Sequence, residues 1–116
     1  MAHYLVRANP KPEKMAKLAG QLDADAFAEL KPFGGALMSS LRAARVEADG
    51  GAVWEEEDYC SPPLAEERAA VLDHYFDAIR IERVAQGEGW RRIEALPHLF
   101  PGRQAEAREA GISRRS

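Results

Sequence analysis

One cysteine in 116 residues, Cys60, excludes an intrachain disulfide and leaves no CxxC pair for zinc or redox work. Three histidines, His3, His74 and His98, stand too far apart for metal-ligand spacing, so no metal and no cofactor is expected from motifs. No apolar run approaches the roughly 18 residues needed to cross a bilayer, so no membrane partner is expected. The start, Met1-Ala2-His3-Tyr4-Leu5-Val6-Arg7, lacks the basic region, apolar run and cleavage site of a secretory signal. A cytoplasmic protein is the expectation. Excess positive charge is missing too. Sixteen Lys and Arg against 19 Asp and Glu leave −3, which argues against the broad basic surface of a nucleic-acid binder. The glycines of Phe33-Gly34-Gly35 and Gly87-Glu88-Gly89 match no phosphate-loop spacing.

What remains is ordinary globular composition, 46% hydrophobic and 30% charged, in a chain long enough for one modest core. A single α+β domain is expected over residues 1–102. Residues 103–116 are polar, without apolar periodicity, and read as a loosely ordered tail.

His3 to Ala8 reads as a first strand, ended by Asn9-Pro10-Lys11-Pro12, because proline fixes φ and removes a backbone donor. Met15, Leu18, Ala19 and Leu22 follow at the i, i+3, i+4, i+7 spacing of a helix stripe. Residues 36–42 suit either helix or strand; a helical turn leading into a strand from about Ala43 is the expectation. Asp49-Gly50 between Val46 and Val53 marks a tight hairpin, and the returning strand runs to about Tyr59. Ser61, followed by Pro62 and Pro63, reads as the N-cap of a second main helix carrying Leu64, Val71, Leu72, Tyr75 and Phe76. Residues 78–84 alternate as a last strand, and a short helical turn over 90–96 carries Trp90, Ile93 and Leu96.

This β-α-β-β-α-β order resembles the ferredoxin-like fold and its dimeric α+β-barrel relatives. The resemblance is one of topology over residues 3–84. It implies an antiparallel sheet with its helices on one face, the other face being left open to a second copy of the chain. Alternation then predicts that Tyr4, Val6, Ala8, Val46, Val53, Ile79 and Ile81 face the helices. Leu5, Arg7, Arg45, Trp54, Glu56, Asp58, Arg80 and Glu82 would occupy the open face, unless a bulge or three-residue loop reverses the hairpin.

The most unusual feature is the acidic run Glu55-Glu56-Glu57-Asp58. Carboxylates at alternate positions, Glu56 and Asp58, could bind a cation or serve as an acid or base. The plainer reading pairs the run with Arg7, Arg42, Arg45 and Arg80 across the sheet. Cys60, at a helix start, is a candidate nucleophile, opposed by the acids beside it, which raise a thiol's pKa. Arg7, Trp54, Tyr59 and Arg80 are candidate ligand contacts, and Leu5 and Trp54 the candidate dimer seam. Two functions compete on these grounds. One is a homodimeric module that binds a small ligand or partner. The other is a small-molecule enzyme using Glu56 and Asp58 with Arg7 and Arg80, with Cys60 near by.

Overall fold

Alternation on the first strand is realised as β1 (Ala2–Pro10), where Val6 and Ala8 enter one apolar cluster and Leu5 another. The computed structural model describes residues 2–102; the expected tail, 103–116, lies outside the described residues. A 3-10 turn (Pro12–Lys14) leads into α1 (Met15–Asp23), which buries Leu18 and Leu22. The ambiguous stretch is helical, α2 (Gly34–Arg42), burying Leu37, Met38 and Leu41. Gly34 is obligatory there, because a Cβ would lie 1.9 Å from the Phe27 carbonyl oxygen. The two-residue β2 (Arg45–Val46) and β3 (Ala52–Asp58) form the hairpin.

Helical structure then resumes in three joined pieces: α3 (Ala65–Glu67), a π-helical turn (Arg68–Leu72) and α4 (Asp73–Tyr75). It starts later than Ser61 suggested, and Ser61 makes no capping bond. Leu64 precedes it in the left-handed region, with φ 64°. Phe76 belongs not to the helix but to the strand after it, β4 (Phe76–Val84). The last element is α5 (Glu88–Ile93).

The sheet order is β2-β3-β1-β4, and every neighbouring pair is antiparallel. Its main core, with Trp54 and Phe76 rings 5.2 Å apart, lies against α1, α2 and the helical run 65–75. A bulge between Arg7 and Asn9, with Ala78 at φ 52°, shifts the register of β4. Phe76 thereby enters the same cluster as Ile79 despite their odd separation.

Two expectations about the faces are corrected. Val46 pairs with Ala52, and Glu47 N–H bonds the Gly51 carbonyl, so the hairpin loop has three residues, Ala48-Asp49-Gly50. Asp49 Oδ1 accepts the Gly51 N–H at 2.8 Å, and Gly50 supplies the positive φ of 89°. One extra loop residue exchanges the faces of β3. Trp54, Glu56 and Asp58 therefore face the helices, while Val53, Glu55 and Glu57 take the other side. That other side is partly covered. Leu5, Val53 and Val84 form an apolar patch, and α5 covers it with Ile93, supported by Trp90 and Leu96. No helix among the described residues is long and apolar enough to cross a membrane.

Candidate functional site

Glu56 and Asp58, two residues apart on β3, project on the helix side of the sheet, where Glu67 meets them from α3. All three side chains are buried, Glu67 with 0% of its surface exposed. Glu56 Oε1 accepts the indole N–H of Trp54 at 3.0 Å, while its Oε2 has no donor. Burial pushes this carboxyl well above its ordinary value, and Glu67, Asp58 and Glu57 push it further. The fold thus favours the protonated form of Glu56 more than water does.

Asp58 stands opposite in character. Burial raises its pKa, but the N–H of Leu64, the Glu67 carboxyl and Cys60 outweigh burial and leave it below the ordinary value. Its Oδ2 accepts the N–H of Leu64 at 2.6 Å and of Cys60 at 3.0 Å. These two bonds close the loop 59–64 and hold Leu64 in its left-handed conformation. Asp58, rather than Ser61, organises the approach to α3.

Glu67 lies against both Asp58 and Cys60, whose Sγ is 3.8 Å from Glu67 Oε1. Burial and the Asp58 carboxylate push Glu67 up to about 7. No donor reaches Glu67 Oε2. A bond to the Glu66 backbone lowers the Cys60 thiol, but burial, Asp58 and Glu67 outweigh it and leave the thiol above its ordinary range. Cys60 therefore keeps its proton at neutral pH. The cluster opens into a cavity of about 320 Å³ lined by Pro32, Phe33, Ala36, Tyr59, Cys60 and Glu67 among others.

Of the residues singled out by sequence, Glu56, Asp58, Cys60 and Tyr59 come together here; Tyr59 is 74% exposed at the cavity. Trp54 does not contact the cavity but holds Glu56 from within the core. Arg7 and Arg80 are paired in register on the other sheet face, so the sheet separates them from Glu56 and Asp58. Leu5 and Trp54, the expected dimer seam, are each fully buried within the chain and belong to opposite faces. Neither is available to a second copy.

The arginines do not neutralise the acidic run. Arg7 pairs with Glu47 at 3.2 Å and Glu82 at 3.5 Å, and Arg42 with Asp25. Arg45 donates to the carbonyls of Glu94 and Leu96. Glu55 is satisfied differently: its carboxylate accepts the N–H groups of Gly87 at 2.8 Å, Gly89 at 2.8 Å and Trp90 at 3.2 Å. It caps the start of α5 from the neighbouring strand. Gly89 permits that approach, since a Cβ would stand 2.9 Å from Glu55 Oε1.

Sequence reasoning missed Glu67. Its signal was present: Leu64, Glu67 and Val71 lie at i, i+3 and i+7, placing a carboxylate within an apolar stripe. No known family, curated protein or solved structure matches the chain.

Proposed function

We propose that this chain is a small-ligand-binding module of ferredoxin-like topology, with its binding site in the cavity between β3, α2 and α3. The strand order β2-β3-β1-β4 and the β-α-β-β-α-β succession support the topological reading. One observation carries the functional one. A fully buried carboxyl, Glu67, stands at the cavity with an oxygen that no donor reaches. A buried polar atom without a partner costs about 1–3 kcal/mol, which a ligand bringing a donor or a positive charge would recover. The preferred ligand class is therefore a small molecule with an amine, amidine or amide N–H group, its apolar part against Phe33, Pro32 and Ala36. Tyr59, exposed at the rim, supplies a further hydrogen-bonding edge.

Every residue lining the cavity belongs to one chain, and α5 covers the Leu5, Val53 and Val84 part of the sheet face that the dimeric-barrel arrangement would leave for a second copy. The enzyme alternative loses Arg7 and Arg80, which lie across the sheet.

The test is a titration of the 15N-labelled protein with a set of small primary amines, amidines and amides. Binders should shift the amide signals of Ala36, Tyr59, Cys60 and Glu67 together and leave Arg7 and Arg80 unmoved. If no compound shifts that group, or if binders shift residues elsewhere, the cavity is not the site.

A further inference from the structure

We infer that Asp58, Cys60 and Glu67 form a binding site for a divalent transition-metal ion of the zinc and cobalt class, with the fourth coordination position facing the cavity. The three side chains each offer one ligand atom, and these atoms all lie within 4.8 Å of one another. That spread needs only small rotamer adjustments to surround one ion, since metal–oxygen and metal–sulfur bonds of about 2.0–2.3 Å put tetrahedral ligands roughly 3.3–3.8 Å apart. The Cys60 Sγ to Glu67 Oε1 separation is already 3.8 Å.

Proximity of acids alone would not suffice. The second observation is Glu67 itself: its side chain has 0% exposure and its Oε2 is reached by no donor. No lysine or arginine forms an ion pair with Asp58 or Glu67 among the described residues. Two buried carboxyls side by side, with no protein cation between them, leave room for a small ion held by both.

The donor set chooses the ion. A thiolate beside two carboxylates favours zinc, cobalt or iron over magnesium and calcium, which take oxygen ligands. The ion would take the place of the protons on Cys60 and Glu67, releasing them to solvent. A second shell is in place: Asp58 Oδ2 is fixed by two backbone N–H groups, and Glu56 lies behind the cluster, tied to Trp54. Three protein ligands with an open fourth position is the arrangement that lets a metal hold a water or a ligand group. Phe33, Ala36 and Tyr59 line the space that group would enter.

This inference rests on the cavity reading for the occupant of the fourth position, yet the two can fail separately. Cobalt(II) alone, added to the reduced full chain under anaerobic conditions, should give a thiolate-to-cobalt charge-transfer band that saturates at one equivalent. Zinc(II) should abolish the band by displacement, and either ion should slow alkylation of Cys60 by iodoacetamide. Cys60→Ala should remove the band, and Glu67→Gln should weaken cobalt binding at least about tenfold. Asp58→Asn is the less suitable variant, because it disturbs the loop that Asp58 closes; the alkylation measurement needs no variant at all. Absence of the band together with unprotected Cys60 overturns the inference, as does cobalt binding of equal strength in Cys60→Ala. Amine or amide binding at Ala36 and Tyr59 in the presence of chelator would then leave the cavity reading standing without the metal.

Discussion

Glu55 and Glu56 are neighbours in sequence, both buried, and solved differently by the fold. Glu55 points to the α5 side, where three backbone N–H groups meet its two oxygens. Glu56 points to the main core, where one indole N–H meets one oxygen and the other has no donor. A saturated carboxylate is a structural device. The undersaturated carboxyls of Glu56 and Glu67, beside Asp58, leave buried acceptors open on the main-core side. The strand's alternation puts both on one element, and only the partners tell them apart.

The comparison breaks most sharply under paired amide substitutions. Glu55→Gln should lower stability by about 3 kcal/mol, since it removes a charge that three donors share and turns an NH2 toward N–H groups. Glu56→Gln should stay within about 1 kcal/mol of the parent at neutral pH. Burial already raises this carboxyl's pKa, so a neutral amide loses less here than at Glu55, and it keeps an acceptor for Trp54. Urea midpoints at constant slope measure both. Equal losses from the two substitutions would mean that the faces do not differ in the way described.

The next effect is on pH dependence, and it belongs to the Glu56 side. Glu67 titrates at about 7 in the folded chain against an ordinary 4.5. Between those values the folded state holds a proton that the unfolded state has lost, so stability falls as pH rises from about 4.5 to 7. Glu56, raised in the same direction, adds to the slope. Asp58, lowered, contributes stability that is lost only as pH falls below its ordinary 3.8. With chelator present, Tm at pH 5 should exceed Tm at pH 8 by on the order of 5–10 °C. Glu67→Gln should remove the Glu67 share of that difference and leave the share due to Glu56. A Tm that climbs between pH 5 and pH 8 would contradict the raised carboxyls.

Much of the fold is legible in the sequence, and the part that is not has a physical reason. The helix stripe Leu18 and Leu22, the strand alternation of β1 and the element order follow from periodicity, which survives in a bare sequence. Which face Glu56 takes does not. It depends on whether the hairpin loop holds two residues or three, and Asp49 settles that through a side-chain bond to Gly51 N–H that no hydropathy pattern records. The apolar Trp90, Ile93 and Leu96 were visible as a turn of helix, but their partners Leu5, Val53 and Val84 come from three separate strands. Within the site, Glu56, Asp58, Cys60 and Tyr59 could be singled out because they are consecutive or nearly so. Glu67 comes from another element, and its one signal, a place on the apolar stripe of Leu64 and Val71, is diluted by its charged neighbours Glu66 and Arg68.

The smallest expected effect tests the device that lets both Phe76 and Ile79 of β4 reach the main core. Ala78 sits at φ 52°, in the left-handed region, at the register shift that brings Phe76 into the same cluster as Ile79. That conformation costs a non-glycine residue roughly 1–2 kcal/mol, and Ala78 is exposed, so its methyl returns little through packing. Glycine removes the strain but enlarges the entropy of the unfolded chain by about 0.4–1 kcal/mol. Ala78→Gly should therefore raise the urea midpoint by an amount worth up to about 1 kcal/mol, with the slope unchanged. A lowered midpoint would mean that the strain estimate loses to chain entropy and that the bulge is held by something other than local conformation. An altered slope would point instead to Phe76 leaving the core, which would erase the difference between the two faces at this end of the sheet.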